Sequence, residues 1–445
     1  MDKDQLISLV AGAGVVGAGG AGFPTAVKLA ASPEYVLVNG AECEPLLRVD
    51  QQLARERAGD LAEALEAVVG ALGAKEGILA FKEKYHGAVD ALGGRIKNKP
   101  SLSLRPLGNY YPMGDEQVLV YEVLGRVVPE GGLPLACGAL VMNVESLLNV
   151  YDALSVKKPV TETWLTVAGA VARPATYKVP VGVSMREVVD FSGGALVPDP
   201  VVINGGPMMG RLEEDLSAPV TKLTKGLIVL GRDHPRAVSK MRRLGQMMRI
   251  ARTACCHCMF CTDLCPRYLL GHRLHPDKVM RLASYGRAGL PADRAGEVFL
   301  CCECGLCEQA CVMGLQPWRL NRELKGELGP AVSKSFQRRT PASVNRFRSM
   351  RRYPIPKLVQ RLGLSQFERI EAPLADFTMT PASVRLLLKQ HLGAPAAPGV
   401  SPGDHVSRGD VVAAPPEGAL GAAVHASVSG VVRSVDQTAI VVDAG

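Results

Sequence analysis

Two cysteine quartets of identical spacing constrain this chain more than any other feature. The first reads Cys255-x-x-Cys258-x-x-Cys261-x-x-x-Cys265, with Pro266 directly after it, and the second reads Cys301-x-x-Cys304-x-x-Cys307-x-x-x-Cys311. A cubane [4Fe–4S] cluster needs one thiolate on each of four irons. Three cysteines at steps of three wrap one loop around three corners, and the fourth ligand comes from elsewhere; in two-cluster ferredoxins it is exchanged between the motifs. The spacing therefore assigns Cys255, Cys258, Cys261 and Cys311 to one cluster, and Cys301, Cys304, Cys307 and Cys265 to the other. Structural zinc usually takes two cysteine pairs on either side of a longer finger, not three equal steps. Disulfides belong to secreted chains, and the opening residues do not read as a signal peptide. Cys256 and Cys302 are out of step and read as spares. Val312 replaces the proline of the first quartet, which shapes the chain exit and binds no iron. A chain organised around such a pair moves electrons one at a time.

At 445 residues the chain is too long for one ordinary core, and two to four domains are expected. No uninterrupted apolar run reaches a bilayer span, so no membrane span is expected. Ten of the twelve cysteines fall between positions 255 and 311, which fits a reducing cytoplasm where thiols are kept for metal. The net charge of +8 is clustered, chiefly in Arg236–Arg252 and Arg338–Arg352. The first stretch leads into the cluster region, where cations offset thiolate-ligated clusters. The second reads as a solvated connector or a docking face for an acidic redox partner. Nucleic acid is not an expected partner, because few aromatics accompany the charges to make stacking platforms.

The expected architecture is multidomain, mixing α/β and α+β. Residues 1–158 alternate β-branched runs, such as Tyr35–Val38, with helical stretches at Asp50–Leu72 and Val118–Leu124, as an α/β domain with a largely parallel sheet would. Residues 162–232 suggest a small β-grasp-like module, with strands at Trp164–Gly169 and Val201–Ile203 and a helix capped by Ser184. Residues 237–330 read as helices bracketing the quartets, and 331–389 as a basic, Pro-interrupted linker or packing arm. Residues 390–445 carry turn signals and short apolar runs of an all-β module. That last stretch is similar to swinging-arm domains carrying lipoate or biotin, but no lysine follows Lys389, so no such group can be attached.

The glycine-rich segment Gly12–Gly22, followed by Phe23-Pro24-Thr25, is the second chemical signal. Its backbone amides could close on a phosphate, although a packing turn is an equal reading of glycines alone. No Gly-Lys-Ser/Thr follows, and Gln5–Val10 reads as helix where a dinucleotide fingerprint wants a strand. Asn39-Gly-Ala-Glu42-Cys-Glu44-Pro45 places two carboxylates just after a strand. Tyr111-Pro-Met-Gly114-Asp115-Glu116 and Asn143-Val-Glu145 add an aromatic ring, an amide and more acids. Each could be a solvated turn, but with clusters downstream a nucleotide or flavin pocket is the better reading.

Gly17–Thr25, Asn39–Pro45 and Asn143-Val-Glu145 resemble the flavin-and-NADH subunit of respiratory complex I. The ECEP tetrad, Tyr111-Pro-x-Gly, the Gly205–Gly210 turn and the paired ferredoxin motifs more closely resemble the C subunit of the Rnf electron-transport complex. In Rnf C subunits a lysine-less sandwich module leads the chain, whereas here it trails. That permuted order is similar to the cobalamin reductases of propanediol-utilisation microcompartments. The resemblance implies an FMN/NADH-binding α/β domain, a soluble-ligand-binding (SLBB) β-grasp module, a helical two-cluster ferredoxin domain and a C-terminal barrel-sandwich hybrid. It implies that Gly17, Gly19, Gly20, Gly22 and Lys28 hold the FMN phosphate. It further implies that Asn39, Glu42, Glu44, Tyr111, Gly114, Asp115, Glu116 and Asn143 line the flavin and nicotinamide nucleotide. Ala18 stands where the complex I subunit has arginine and Ala41 where it has an acid, so the nicotinamide contacts differ.

By the same resemblance, electrons run from NADH through FMN and two [4Fe–4S] clusters to a corrinoid, with FMN joining a two-electron donor to one-electron carriers. The implied partners are NADH, a corrinoid or a B12-handling enzyme, and shell or lumen proteins of a microcompartment in the cytoplasm. Two alternatives are a peripheral Rnf-like subunit or donor to a protein acceptor, and a non-enzymatic protein whose clusters are structural.

Overall fold

The computed structural model describes residues 1–286 and 295–445; the part of the expected cluster domain at 287–294 lies outside the described residues. Helix α1 (Lys3–Gly12) starts under Asp2, whose carboxylate accepts from the Gln5 N–H at 2.8 Å. The first domain continues with α2 (Thr25–Leu29), β1 (Tyr35–Gly40), α3 (Val49–Glu56), α4 (Ala58–Leu72), β2 (Glu76–Lys82), α5 (His86–Ile96) and β3 (Leu102–Leu107). It closes with β4 (Tyr110–Tyr111), α6 (Glu116–Leu124), β5 (Ala139–Asn143) and α7 (Val144–Ser155). The sheet, ordered β3-β2-β1-β5, is parallel throughout. Strand β1 is buried on both faces: Val36 and Val38 enter one core with residues of α1, α3 and α4, and Leu37 enters another with residues of α6. This is why it reads as a continuous apolar run.

The helix expected over Asp50–Leu72 is two helices. Arg57 leaves the helical region at φ −117° and ψ 34°, and its guanidinium pairs with Asp60 at 2.7 Å and Asp152 at 2.6 Å. Helix α4 then stops at Gly73 in the left-handed conformation that glycine adopts at low cost.

The chain lays down β1, β2 and β3 outward in one direction, then returns to place β5 on the other side of β1. The order thus reverses between β1 and β5, and crevices form outside the carboxyl ends of strands at such a reversal. Asn39 and Asn143 lie side by side at those ends.

The second module contains β6 (Glu162–Gly169), β7 (Ala175–Pro180), α8 (Met185–Phe191), β8 (Pro200–Asn204), β9 (Arg211–Glu213) and β10 (Gly226–Gly231). Ser184 caps α8 in a reciprocal box with Glu187. Helices α9 (Pro235–Met241) and α10 (Leu244–Ala254) lead into the quartets, whose loops are interleaved with short helices at Phe260–Asp263, Pro266–Leu269 and Leu306–Ala310. A helix at Pro317–Ser335, broken at Gly329 before Pro330, follows them.

Residues 331–389, expected as a linker or arm, are instead built into three neighbours. Strand β11 (Tyr353–Pro354) pairs with β4. Strand β12 (Leu374–Thr378) adds to β7 and completes the sheet β12-β7-β6-β10-β8-β9. Strand β13 (Ser383–Leu387) belongs to the terminal module. That module also contains β14 (Ala397–Pro398), β15 (His405–Val406), β16 (Val411–Ala414), β17 (Val424–His425), β18 (Gly430–Val435) and β19 (Ala439–Ala444). They form two facing sheets, β13-β19-β18-β15 and β14-β16-β17, around Val384, Leu386, Val412 and Ile440. The module seats against the start of the chain: the Leu392 N–H donates to Gly22 O at 2.9 Å, and Lys222 Nζ bridges Gly14 O and Ala423 O at 2.7 and 2.8 Å.

The basic stretches also have internal partners. Arg348 pairs with Glu122 at 2.5 Å, Arg352 with Glu122 at 3.0 Å and Arg351 with Asp263 at 2.8 Å, clamping α6 to the cluster region. Arg236 is buried against Glu308 at 2.8 Å, and Arg242 donates to Gly314 O at 2.7 Å. Much of the clustered charge therefore holds modules together rather than forming a solvated face. Among the described residues, no helix is long and apolar enough to cross a membrane.

Candidate functional site: a strand-end crevice and two cysteine sets

The glycine loop lies over the β1/β5 reversal. The Gly17 N–H donates to Phe23 O at 2.9 Å and the Gly22 N–H to Gly17 O at 3.2 Å, closing the loop on itself. The Ala18 N–H donates to Ser146 Oγ at 2.8 Å, tying the loop to α7, and a Cβ at Gly19 would lie 3.6 Å from Asn143 Cβ. Gly19, Gly20 and Ala21 are exposed, and their N–H groups find no acceptor among the described residues. Lys28 Nζ reaches Val141 O at 2.7 Å and Glu116 Oε1 at 3.4 Å, which brings a cation to the same end of the sheet.

Asn39 Nδ2 donates to Gly114 O at 2.9 Å, so the loop after β4 lies against the end of β1. Asn143 Oδ1 caps α7 through the Glu145 and Ser146 amides, and its Nδ2 donates to Asp50 Oδ2 at 2.8 Å. Burial pushes the Asp50 carboxyl well above its ordinary range, and neighbouring Glu42 and Glu145 add to the rise. Thus Gly17, Gly19, Gly20, Lys28, Asn39, Gly114, Glu116 and Asn143 converge at one crevice. Open amides beside a lysine suit a flavin phosphate.

Five other expected residues have different partners. Gly22, at φ 66°, packs against Leu223 and His391, not over the crevice. Glu42 caps α3, accepting from the Asp50 N–H at 2.9 Å and from Gln51 Nε2 at 2.9 Å. Glu44 accepts from the Met208 and Met209 N–H groups, both at 2.8 Å, and so holds the Gly205–Gly210 turn rather than facing a nucleotide. Burial raises its carboxyl pKa, and those two amides oppose the rise. Tyr111 is buried, with its hydroxyl donating to Cys304 O at 2.6 Å. Asp115 caps α6 and receives Arg267 in two bonds, at 2.5 and 2.9 Å. Burial pushes the Asp115 carboxyl up, but Arg267 and the cap amides more than offset this and leave it below its usual range.

None of the twelve cysteines is joined in a disulfide. Cys265, Cys301, Cys304 and Cys307 line one internal cavity together with Arg267 and Asn321. Cys311 lies within electrostatic reach of Cys258 and Cys261, and Cys265 within reach of Cys301 and Cys307; Cys261 and Cys307 also sense each other where the sets adjoin. The fourth cysteine of each motif is thus beside the other motif's triplet. Among the described residues, no three His, Cys, Asp or Glu side chains converge on a single-ion geometry. A cavity ringed by thiols, with a buried amide that has no protein partner, suits a cluster. Cys302 also lines this cavity, whereas Cys256 and Cys258 are exposed.

Sequence reasoning missed Ser146, Asp50, Arg267 and Asn321. Arg267 was the most accessible of them, since it follows Cys265-Pro266 directly, but its partner lies 152 residues away.

Comparison with known proteins agrees with this division. Residues 10–152 match the Nuo51 FMN-binding domain, 165–212 the SLBB domain, 254–316 a 4Fe–4S dicluster domain and 370–445 the RnfC barrel sandwich hybrid domain. The chain is 44% identical over 449 aligned positions to the cobalamin reductase PduS of Salmonella typhimurium, covering 100% of this chain and 98% of the relative. It is 43% identical to the cobalamin reductase PduS of Citrobacter freundii, covering 100% and 97%. It is also 34% identical to the C subunit of the Na(+)-translocating ferredoxin:NAD(+) oxidoreductase complex of Acetobacterium woodii, covering 60% of this chain and 59% of that one.

Proposed function

The chain belongs to the family of the PduS cobalamin reductases, and from that premise we propose that it passes electrons from NADH to a corrinoid used by a B12-dependent enzyme. FMN and two [4Fe–4S] clusters are the carriers, and FMN supplies the exchange between a hydride donor and one-electron acceptors. One observation carries the reading. The loop from Tyr111 to Glu116 borders the strand-end crevice and is tied at Tyr111 and Asp115 to Cys304 and Arg267 of the cysteine-lined cavity. A flavin site and a cluster site sharing one rigid loop suits transfer between them.

In this reading the amides of Gly19, Gly20 and Ala21 and the Lys28 ammonium take the phosphate. Asn39, Gly114, Glu116 and Asn143 border the ring and the nicotinamide. Glu42, Glu44, Tyr111 and Asp115 fix the loops that carry them, and Gly17 and Gly22 shape the glycine loop. Cys265, Cys301, Cys304 and Cys307 hold the cluster nearer the flavin. Cys255, Cys258, Cys261 and Cys311 hold the one facing the acceptor, since Cys258 is exposed. Free corrinoid, a B12-handling enzyme and microcompartment proteins in the cytoplasm are the partners this family membership favours.

The test is anaerobic reduction of cob(III)alamin by NADH, followed by absorbance, against a control with matched free flavin. A Cys258→Ser/Cys261→Ser variant that retains FMN should oxidise NADH with an artificial dye yet reduce corrinoid slowly. Corrinoid reduction at the parental rate in that variant would remove the outer cluster from the path. No corrinoid reduction by the parent would point to a protein acceptor.

A further inference from the structure

Asn321 lies one turn into the helix at Pro317–Ser335 and is fully buried. Both atoms of its side-chain amide lack a hydrogen-bond partner, and among the described residues lining the cavity of Cys265, Cys301, Cys304 and Cys307 it is alone in this. Its neighbours are committed. Trp318 Nε1 donates to Glu308 Oε2 at 2.8 Å, Gln316 Nε2 donates to Ser239 Oγ at 2.9 Å, and Arg267 is held by Asp115.

Helical spacing directs Asn321 towards the second quartet. Trp318, Asn321 and Lys325 stand at i, i+3 and i+7, on one face of the helix. Trp318 lines the cavity, and Lys325 Nζ donates to the Cys301 carbonyl at 2.6 Å. A buried amide without a partner is costly to keep, and an apolar side chain of the same size would be cheaper if nothing polar ever occupied the cavity. A thiolate-ligated cluster is rich in sulfur acceptors and becomes more negative when reduced. An N–H donor to sulfur stabilises the reduced state more than the oxidised one and raises the potential.

We propose that the Asn321 side-chain amide donates a hydrogen bond to the sulfur of the cluster held by Cys265, Cys301, Cys304 and Cys307, and sets that cluster's potential above its value without the bond. This inference rests on the cluster assignment made above, but it concerns the one cluster alone. It makes the flavin-side cluster a better electron acceptor than it would be without the bond.

The experiment is a redox titration of the fully loaded protein followed by EPR, with the two signals assigned by Cys258→Ser and Cys301→Ser variants. Asn321→Leu and Asn321→Val each remove both polar atoms of the amide, the first at nearly unchanged volume. Each should make reduction of the Cys301 cluster harder by on the order of tenfold, about 59 mV for a one-electron couple. The other cluster should move much less. Unchanged potentials, or equal shifts in both clusters, would overturn the proposal. A second measurement needs no substitution, should these variants lose iron. Parental protein labelled with nitrogen-15 only in asparagine side chains should show a weak nitrogen coupling to the reduced Cys301 cluster in pulsed EPR. Absence of that coupling would also overturn it, whereas failure to find a Cys301-dependent cluster would instead remove the assignment beneath it.

Discussion

Replacing Arg267 by methionine should cost more than replacing Arg267 and Asp115 together. The guanidinium and carboxylate are only 9% and 14% exposed and share bonds of 2.5 and 2.9 Å. Removing one member of such a pair strands a buried charge, at about 3–5 kcal/mol. Asp115 would keep the Gln117 and Val118 amides, both at 3.1 Å, which places the loss near the lower end. About 3 kcal/mol corresponds to roughly 100-fold in the equilibrium that separates the flavin domain from the cluster region. In Arg267→Met/Asp115→Asn no charge is stranded, methionine fills the space, and asparagine can still cap α6, so a loss of about 1 kcal/mol is expected.

The assay is urea unfolding followed separately by FMN fluorescence and cluster absorbance, because a multidomain chain need not unfold in one step. Acid adds a second reading. The Asp115 carboxyl is held below its ordinary range, so its contribution is present above the unfolded pKa and is lost as pH falls through the lower folded value. In Arg267→Met burial acts on the carboxyl without its strongest opposing partner and holds the folded pKa above the unfolded one, so this acid-dependent loss should vanish and the variant's deficit should shrink as pH falls. Equal losses in the single and double variants, or a single-variant loss below about 1 kcal/mol, would refute the claim that this buried pair joins the modules.

Three other outcomes follow from contacts already described. Cys265→Ser should damage the cluster of the Cys301 triplet and Cys311→Ser that of the Cys255 triplet, while Cys256→Ser keeps both; iron analysis and EPR of each variant decide the crossed assignment. Burial lowers the Lys222 pKa from 10.5 to about 7, so the native state binds fewer protons than the unfolded one between those values and stability should rise with pH across that window. Lys222→Met should flatten that rise in melting temperatures measured from pH 7 to 10. A Cβ at Gly206 would fall 2.3 Å from Glu44 Oε2, so Gly206→Ala should cost about 1–3 kcal/mol through overpacking, read as a lowered calorimetric transition.

The features legible in the sequence were those written over short distances. The quartets, the Ser184 cap, the apolar run of β1 and the position of Asn39 at the end of a strand all follow from local spacing. What escaped depends on distant partners. Glu44 sits in a conspicuous acidic tetrad and reads as a ligand, yet the amides that occupy it belong to residues 208 and 209. Asp115 similarly receives Arg267. Residues 331–389 read as a linker because their strands are short and their charges numerous. Their pairing with β4, β7 and β19, and the salt bridge from Arg348 to Glu122, have no local signature. The break at Arg57 escaped because the apolar rhythm continues through it.

The terminal sandwich takes its seat from Gly14, Gly22 and Lys222, none of them near it in sequence. A unit anchored in this way can change its place in the gene without changing its place in the molecule. Evolution could cut it from one end of the reading frame and attach it to the other, with selection acting on the footprint rather than on gene order. Chains whose sandwich comes first and chains whose sandwich comes last could then be alternative spellings of the same assembly.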